Sequence, residues 1–159
     1  MTVPSQSSLG DARVSIVGGT GFVGGRLALA LVRAGFEVTT ASRALRSPAG
    51  LPHVSCDLVS GKGVDRALEG ADVAYFLVHS MAGGPQFAER ERVAAEQFSA
   101  AARRQKVGRV VYLGGLYPSG QVLSEHLESR RRVGLTLIER SGARAVRAGV
   151  VVWAGSDSF

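Results

Sequence analysis

The stretch from Arg13 to Gly24 restricts the fold more than any other part of the chain. Arg13 to Val17 (RVSIV) is rich in β-branched residues, and glycines at 18, 21 and 24 follow it as G-x-x-G-x-x-G. Beyond them Val23, Leu27, Ala30, Leu31 and Ala34 recur at helical spacing, with Gly35 as a natural stop. A strand therefore passes through a glycine turn into a helix. A side chain at the early glycines would hold the backbone away from a diphosphate, and the last glycine lets the helix pack closely on the sheet. The helix N-terminus adds unpaired N–H groups and a positive dipole end. A glycine turn without a ligand is the alternative, but the strand–turn–helix context required of a nucleotide-binding loop is present.

The same alternation continues along the chain. Strands are predicted at Phe36–Ala41, His53–Cys56, Asp72–Val78, Arg109–Leu113 and Ala145–Trp153. Helices are predicted at Gly21–Ala34, Val64–Leu68, Gln86–Gln105 and Ser124–Arg140, with Ser60 and Gly70 as cap and stop of the shortest and Ser141-Gly142 ending the last. Asp72 to Val78 (DVAYFLV) is almost wholly apolar, as a parallel strand covered on both faces must be. Six strands with intervening helices make one α/β domain. Right-handed crossovers then give a three-layer, doubly wound parallel sheet, a Rossmann fold, in the order 3-2-1-4-5-6. Residues 1–12 read as a disordered leader and residues 13–159 as the domain.

Composition removes several function classes. One cysteine, Cys56, permits no internal disulfide and no CxxC site, and it reads as a small core residue. Neither a secretory signal nor a run of roughly 20 apolar residues is visible, so a soluble cytoplasmic protein without membrane contact is expected. No His/Cys/carboxylate group has metal-ligand spacing, and His53 stands at a strand start with no partner in view. The formal charge is +6, but the arginines are scattered. Arg130-Arg131-Arg132 point three ways on a helix, which argues against nucleic acid and for a small anionic ligand.

The ends of the next strands choose that ligand. An acid about 20 residues past the loop would bind the ribose 2′-hydroxyl of NAD. This chain has Ser42-Arg43 instead, a hydroxyl and a guanidinium suited to the 2′-phosphate of NADP, with NAD as the alternative. Arg43 as a solvated loop cation is the plainer reading. Asp57 either accepts a hydrogen bond from adenine or merely caps a turn, and Leu58 could cover the base. His79 and Ser80 either line the crevice at the carboxyl edge of the fourth strand or simply end it. Tyr117 reads as an exposed loop aromatic or, alternatively, faces the same crevice. Met81 and Trp153 read as packing residues.

GGTGFVGG after a strand, then SR, CDL, DVAYFLVHSM, VVYLGGL and SEHLESRRRVG together resemble the atypical short-chain dehydrogenase/reductases, and most closely the NmrA-like NAD(P)-binding group. The resemblance runs from Arg13 to the C-terminus. It implies cofactor contacts at Gly18, Thr20, Gly21, Phe22, Val23 and Gly24, with Arg43 at the 2′-phosphate. It also implies Asp57 and Leu58 near adenine and Val78 with His79 beside the nicotinamide half. The larger family reduces carbonyls with a serine after the fifth strand and a Tyr-x-x-x-Lys pair on the next helix. Here the serine position falls on Gly114-Gly115, and Tyr and Lys fall on His126 and Arg130, which become the candidate catalytic residues. The family's C-terminal substrate segment has no counterpart through Phe159. The expectation is an NADP-binding domain of an oxidoreductase type with little or no such catalysis. The alternative is a non-catalytic module that senses the cofactor and binds a protein partner.

Overall fold

The structure, a computed structural model, describes residues 11–47, 49–78, 86–117, 120 and 122–148. The elements are β1 (Arg13–Val17), α1 (Phe22–Arg33), β2 (Glu37–Ser42), β3 (His53–Ser55), α2 (Val64–Leu68), β4 (Val73–Phe76), α3 (Phe87–Arg104), β5 (Arg109–Gly115), α4 (Glu125–Ser141) and β6 (Arg144–Ala148). All six strands are parallel, in the order β3-β2-β1-β4-β5-β6.

Period-two alternation sorts the strand residues onto two faces. Val17, Ala74, Phe76, Val110 and Tyr112 meet α2, α3 and α4 in the larger core, where Phe98 packs edge-on to Phe76 with ring centroids 5.1 Å apart. Val14, Ile16, Val38 and Leu77 meet Ala28, Val23, Leu27 and Leu31 of α1 in the smaller one. The sheet is thus the middle layer of three.

Element boundaries differ from the expectation in instructive ways. β4 is shorter than Asp72–Val78, although the Leu77 N–H still donates to the Val17 carbonyl at 2.8 Å. β5 runs on through Gly114-Gly115, past the expected end at Leu113. α2 is preceded by Gly63 in the left-handed conformation (φ 77°), not by Ser60. A Cβ there would collide with the Ser55 carbonyl, while the Ser60 hydroxyl donates to Asp57 Oδ2 at 2.9 Å. This short helix is too small to stand alone. It is tied to the end of α3 by Asp65, which accepts from Arg104 at 2.9 and 2.8 Å and from Gln105 at 3.1 Å.

His53 is not alone. Its Nε2–H donates to the Ala44 carbonyl at 3.0 Å, and its Nδ1 is hydrogen-bonded to the Thr40 hydroxyl at 2.9 Å. Residues 1–10 of the expected leader, His79, Ser80, Met81 and the part of the expected sixth strand that holds Trp153 lie outside the described residues.

Candidate nucleotide-binding site

The glycine loop sits at the carboxyl edge of the sheet, between the ends of β2 and β4. The Gly18 N–H donates to the Ala41 carbonyl at 2.8 Å, and Gly21 N–H closes the turn onto the Gly18 carbonyl at 3.1 Å. Gly18 has φ +93°, and a Cβ there would lie 2.8 Å from the Leu77 carbonyl carbon and 3.1 Å from the Val78 nitrogen. Glycine is needed for both reasons. Gly24 has no room either, because a Cβ would collide with the Gly18 oxygen and lie 2.8 Å from Gly19 Cα. Its absence lets α1 start directly against the loop.

Gly19 is a loop residue that the spacing argument missed. A Cβ on it would lie 2.7 Å from Thr40 Cβ and 2.9 Å from the Ile16 oxygen, so the loop must lie flat on β2. The doubled glycine at 18–19 was the available signal. Gly21 is the N-cap of α1 and has no side chain to cap it, and the first turn carries no acid. The leading N–H groups of the helix therefore keep their affinity for an anion. Phe22 and Val23 follow, with the Arg26 guanidinium 3.8 Å from the Phe22 ring centroid. Thr20, Phe22 and Val23 are all half-buried.

The adjoining rim is built by β2 and β3. Ser42 ends β2, and its Oγ accepts the Ala44 N–H at 3.1 Å while Arg43 stands exposed beside it. Asp57 does cap a turn. Oδ1 accepts the Val59 N–H at 3.0 Å, and Oδ2 takes the Ser60 hydroxyl. Partial burial opposes its ionisation, but those hydrogen bonds and the nearby Arg43 charge outweigh it and hold the carboxyl below its ordinary value. Leu58 is buried in the larger core beneath this rim, and Val78 is half-buried against the same core. Burial, aided by the Asp57 charge, pushes the Cys56 thiol up to about 11, which suits an inert core residue.

Toward β5 the surroundings change. Gly114 and Gly115 carry no hydroxyl at the expected serine position. A Cβ on Gly114 would lie 2.9 Å from Cε1 of Tyr112, and a Cβ on Gly134 of α4 would lie equally close, at 2.9 Å. The Tyr112 ring is thus wedged between strand and helix by two glycines, with its hydroxyl donating to the Arg130 carbonyl at 3.1 Å. Burial, and next the neighbouring Tyr117 phenol, push the Tyr112 phenol above the usual tyrosine range. His126 is exposed and stacks on Phe87 of α3, centroids 4.4 Å apart, and Arg130 is half-buried. Ser129 donates to Glu91 and so clips α4 to α3. Arg131 and Arg132 both grip Glu128, at 2.9 and 3.0 Å. Tyr117 is not an exposed loop aromatic. It is half-buried with its hydroxyl oxygen out of solvent.

Among the described residues no group of three or more His, Cys, Asp or Glu is placed to hold a metal ion, and no helix is long and apolar enough to cross a membrane.

Fold and loop together define a class, the NAD(P)-binding Rossmann domains. The comparisons agree. The enzyme WbmG of Bordetella bronchiseptica, crystallised with NAD, superposes with a TM-score of 0.71 at 16% identity over 92% of this chain and 54% of that one. UDP-glucose 4-epimerase of Brucella ovis, also with NAD, gives 0.70 at 15% identity over 87% and 51%. A Rossmann-fold NAD(P)-binding family protein of Shigella flexneri gives 0.64 at 20% identity over 86% and 66%. The chain therefore spans between half and two thirds of the length of these structures. No curated protein matches it. A family model described as NAD(P)H-binding matches residues 18–146, and the chain belongs to that family.

Proposed function

We propose that this chain is an NADP-preferring cofactor-binding domain in which the usual carbonyl-reducing set has been lost. The observation that carries the reading is the backbone cradle of Gly18, Gly19 and Gly24, bounded by the ends of β2 and β4 and closed to any side chain. The N–H groups of Thr20, Phe22, Val23 and Gly24 hold the pyrophosphate at the positive end of α1. Arg43, exposed past the end of β2, pairs with the 2′-phosphate, and Ser42 adds a donor. Asp57 turns its remaining lone pairs to the adenine amino group above Leu58, while Val78 and His79 border the nicotinamide half.

When bound, the dinucleotide supplies hydride exchange at its nicotinamide ring. The chain's own residues offer little proton chemistry there. The serine position is glycine backed by the Tyr112 ring, and arginine in place of lysine holds its proton at all relevant pH. His126 is engaged with Phe87. The domain comprises residues 13–159 and acts in the cytoplasm. Titration calorimetry with NADPH and NADH tests the reading. NADPH binds more tightly, and Gly21→Val abolishes binding of both while circular dichroism stays unchanged. Equal affinity for the two cofactors refutes the preference, and full binding by Gly21→Val refutes the loop.

A further inference from the structure

The turn after β2 is held more firmly than its exposure requires. Residues 43–46 are all exposed, yet Ala44 is gripped on both sides. Its N–H donates to Ser42 Oγ at 3.1 Å, and its carbonyl accepts from His53 Nε2–H at 3.0 Å. A carbonyl can be met only by an N–H, so Nε2 carries a proton here. His53 is itself fixed from behind. It pairs in register with Thr40 of β2, and its Nδ1 is hydrogen-bonded at 2.9 Å to the hydroxyl of that buried threonine. The same hydroxyl reaches the Pro52 carbonyl at 3.1 Å. The imidazole is thus a strut from the interior of the sheet to the exposed turn.

Arg43 lies between Ser42 and Ala44, so its backbone is fixed from both neighbours. Its guanidinium is exposed and, among the described residues, makes no hydrogen bond or ion pair, although Asp57 feels its charge. A merely solvated cation has no use for a fixed backbone. A ligand-binding one does, because ordering its loop beforehand removes that cost from binding.

We infer that His53 is a positioning residue for cofactor choice: it holds Ala44 so that Arg43 is presented to the 2′-phosphate, and it touches no ligand itself. The inference deepens the NADP-preferring reading and rests on it. NADH, which lacks that phosphate, gains nothing from the strut.

The test is calorimetry of the full chain with NADPH and NADH, with Tm recorded for each variant. His53→Ala weakens NADPH by about fivefold or more and leaves NADH within about twofold of the parent. His53→Gln stays within about twofold for NADPH, since its amide nitrogen reaches the place of Nε2 and keeps the donor to Ala44. The shorter His53→Asn reaches only the place of Nδ1 and behaves like His53→Ala. In an Arg43→Ala background, His53→Ala changes NADPH affinity by no more than about twofold, because the strut acts only through Arg43. Unchanged NADPH affinity in His53→Ala overturns the inference. Equal losses for both cofactors make His53 a prop of the sheet edge and overturn it too, as does a loss that persists without Arg43. Should His53→Ala fail to fold, the Gln and Asn variants decide, and equal NADPH affinity in those two overturns the inference. A parent with no preference for NADPH is read first; it counts against the proposed function and takes the inference with it.

Discussion

Two adjacent glycines of α1 should respond to the same substitution with opposite signs. Gly24→Ala places a Cβ 2.8 Å from Gly19 Cα and 2.9 Å from the Gly18 carbonyl carbon, besides the collision with the Gly18 oxygen. Carbon atoms settle at about 3.5–4.0 Å, so the loop and helix must part by roughly 1 Å. Every atom in the way is backbone, and none can swing aside as a flexible side chain would. Overpacking of this kind costs about 1–3 kcal/mol and belongs at the top of that range here. In a domain of this size that lowers Tm by roughly 6–12 °C. Gly25→Ala meets only the Gly19 oxygen at 3.7 Å, an ordinary contact. It gains about 0.5–1 kcal/mol from the better helix former. The pair should differ by about 4 kcal/mol in urea denaturation, and only Gly24→Ala should weaken NADPH, by tenfold or more. Gly24→Ala within about 0.5 kcal/mol of the parent, the usual size of an inconsequential surface change, would refute the cradle geometry. Equal damage from both substitutions would refute it as well.

Arg43→Ala should weaken NADPH by about 1.5–3 kcal/mol, the scale of a charge-assisted hydrogen bond, and leave NADH unchanged in calorimetry; parallel losses would make Arg43 a support of the loop instead. Tyr112→Phe should cost about 1 kcal/mol through the lost bond to the Arg130 carbonyl. Gly134→Ala should cost about 1–3 kcal/mol by overpacking, and denaturation of a Tyr112→Ala background should show that penalty vanish if the two truly share one space. Hydrogen bonds from Arg131 and Arg132 hold the Glu128 carboxyl at about 2, below its ordinary 4.5. Its contribution is therefore complete above pH 4.5 and is lost as pH falls toward 2, so acid titration of α4 ellipticity should flatten over that window in Glu128→Gln and stay unchanged if the pairing is idle.

The sheet order was legible because each strand is short, apolar and separated from the next by a crossover long enough for one geometry. Arg13 to Val17 and the helical spacing of Val23, Leu27 and Leu31 left no second reading of the first βα unit. The glycine loop was legible for the same reason, since its backbone role admits one residue type. Gly19 escaped because its constraint comes from Thr40, two strand positions before the end of β2. Tyr112 and Gly134 escaped because a wedge between β5 and α4 needs residues 22 positions apart to be seen together. Tyr117 was misread as exposed because a loop residue that folds back over its own strand carries no periodic mark. His53 was taken as unpartnered because both acceptors and donors come from β2 and the turn after it. Long-range packing, unlike periodicity, is written in no local window of the chain.

The cradle's place in the sheet also bears on when it comes into being during synthesis. β1 pairs with β2, its neighbour in sequence, and with β4, where Val14 lies opposite Val73. Gly18 is anchored to Ala41 on one side and walled by Leu77 on the other. A nascent chain released only as far as α1 holds every glycine of the loop and none of its frame. Competence to bind cannot arrive before the chain has emerged past Val78, which makes the cofactor a latch on a late tertiary event. At a concentration 100 times its Kd it would deepen that state by about 2.7 kcal/mol, so the abundance of the dinucleotide in the cell becomes a factor in how much of this chain survives to fold.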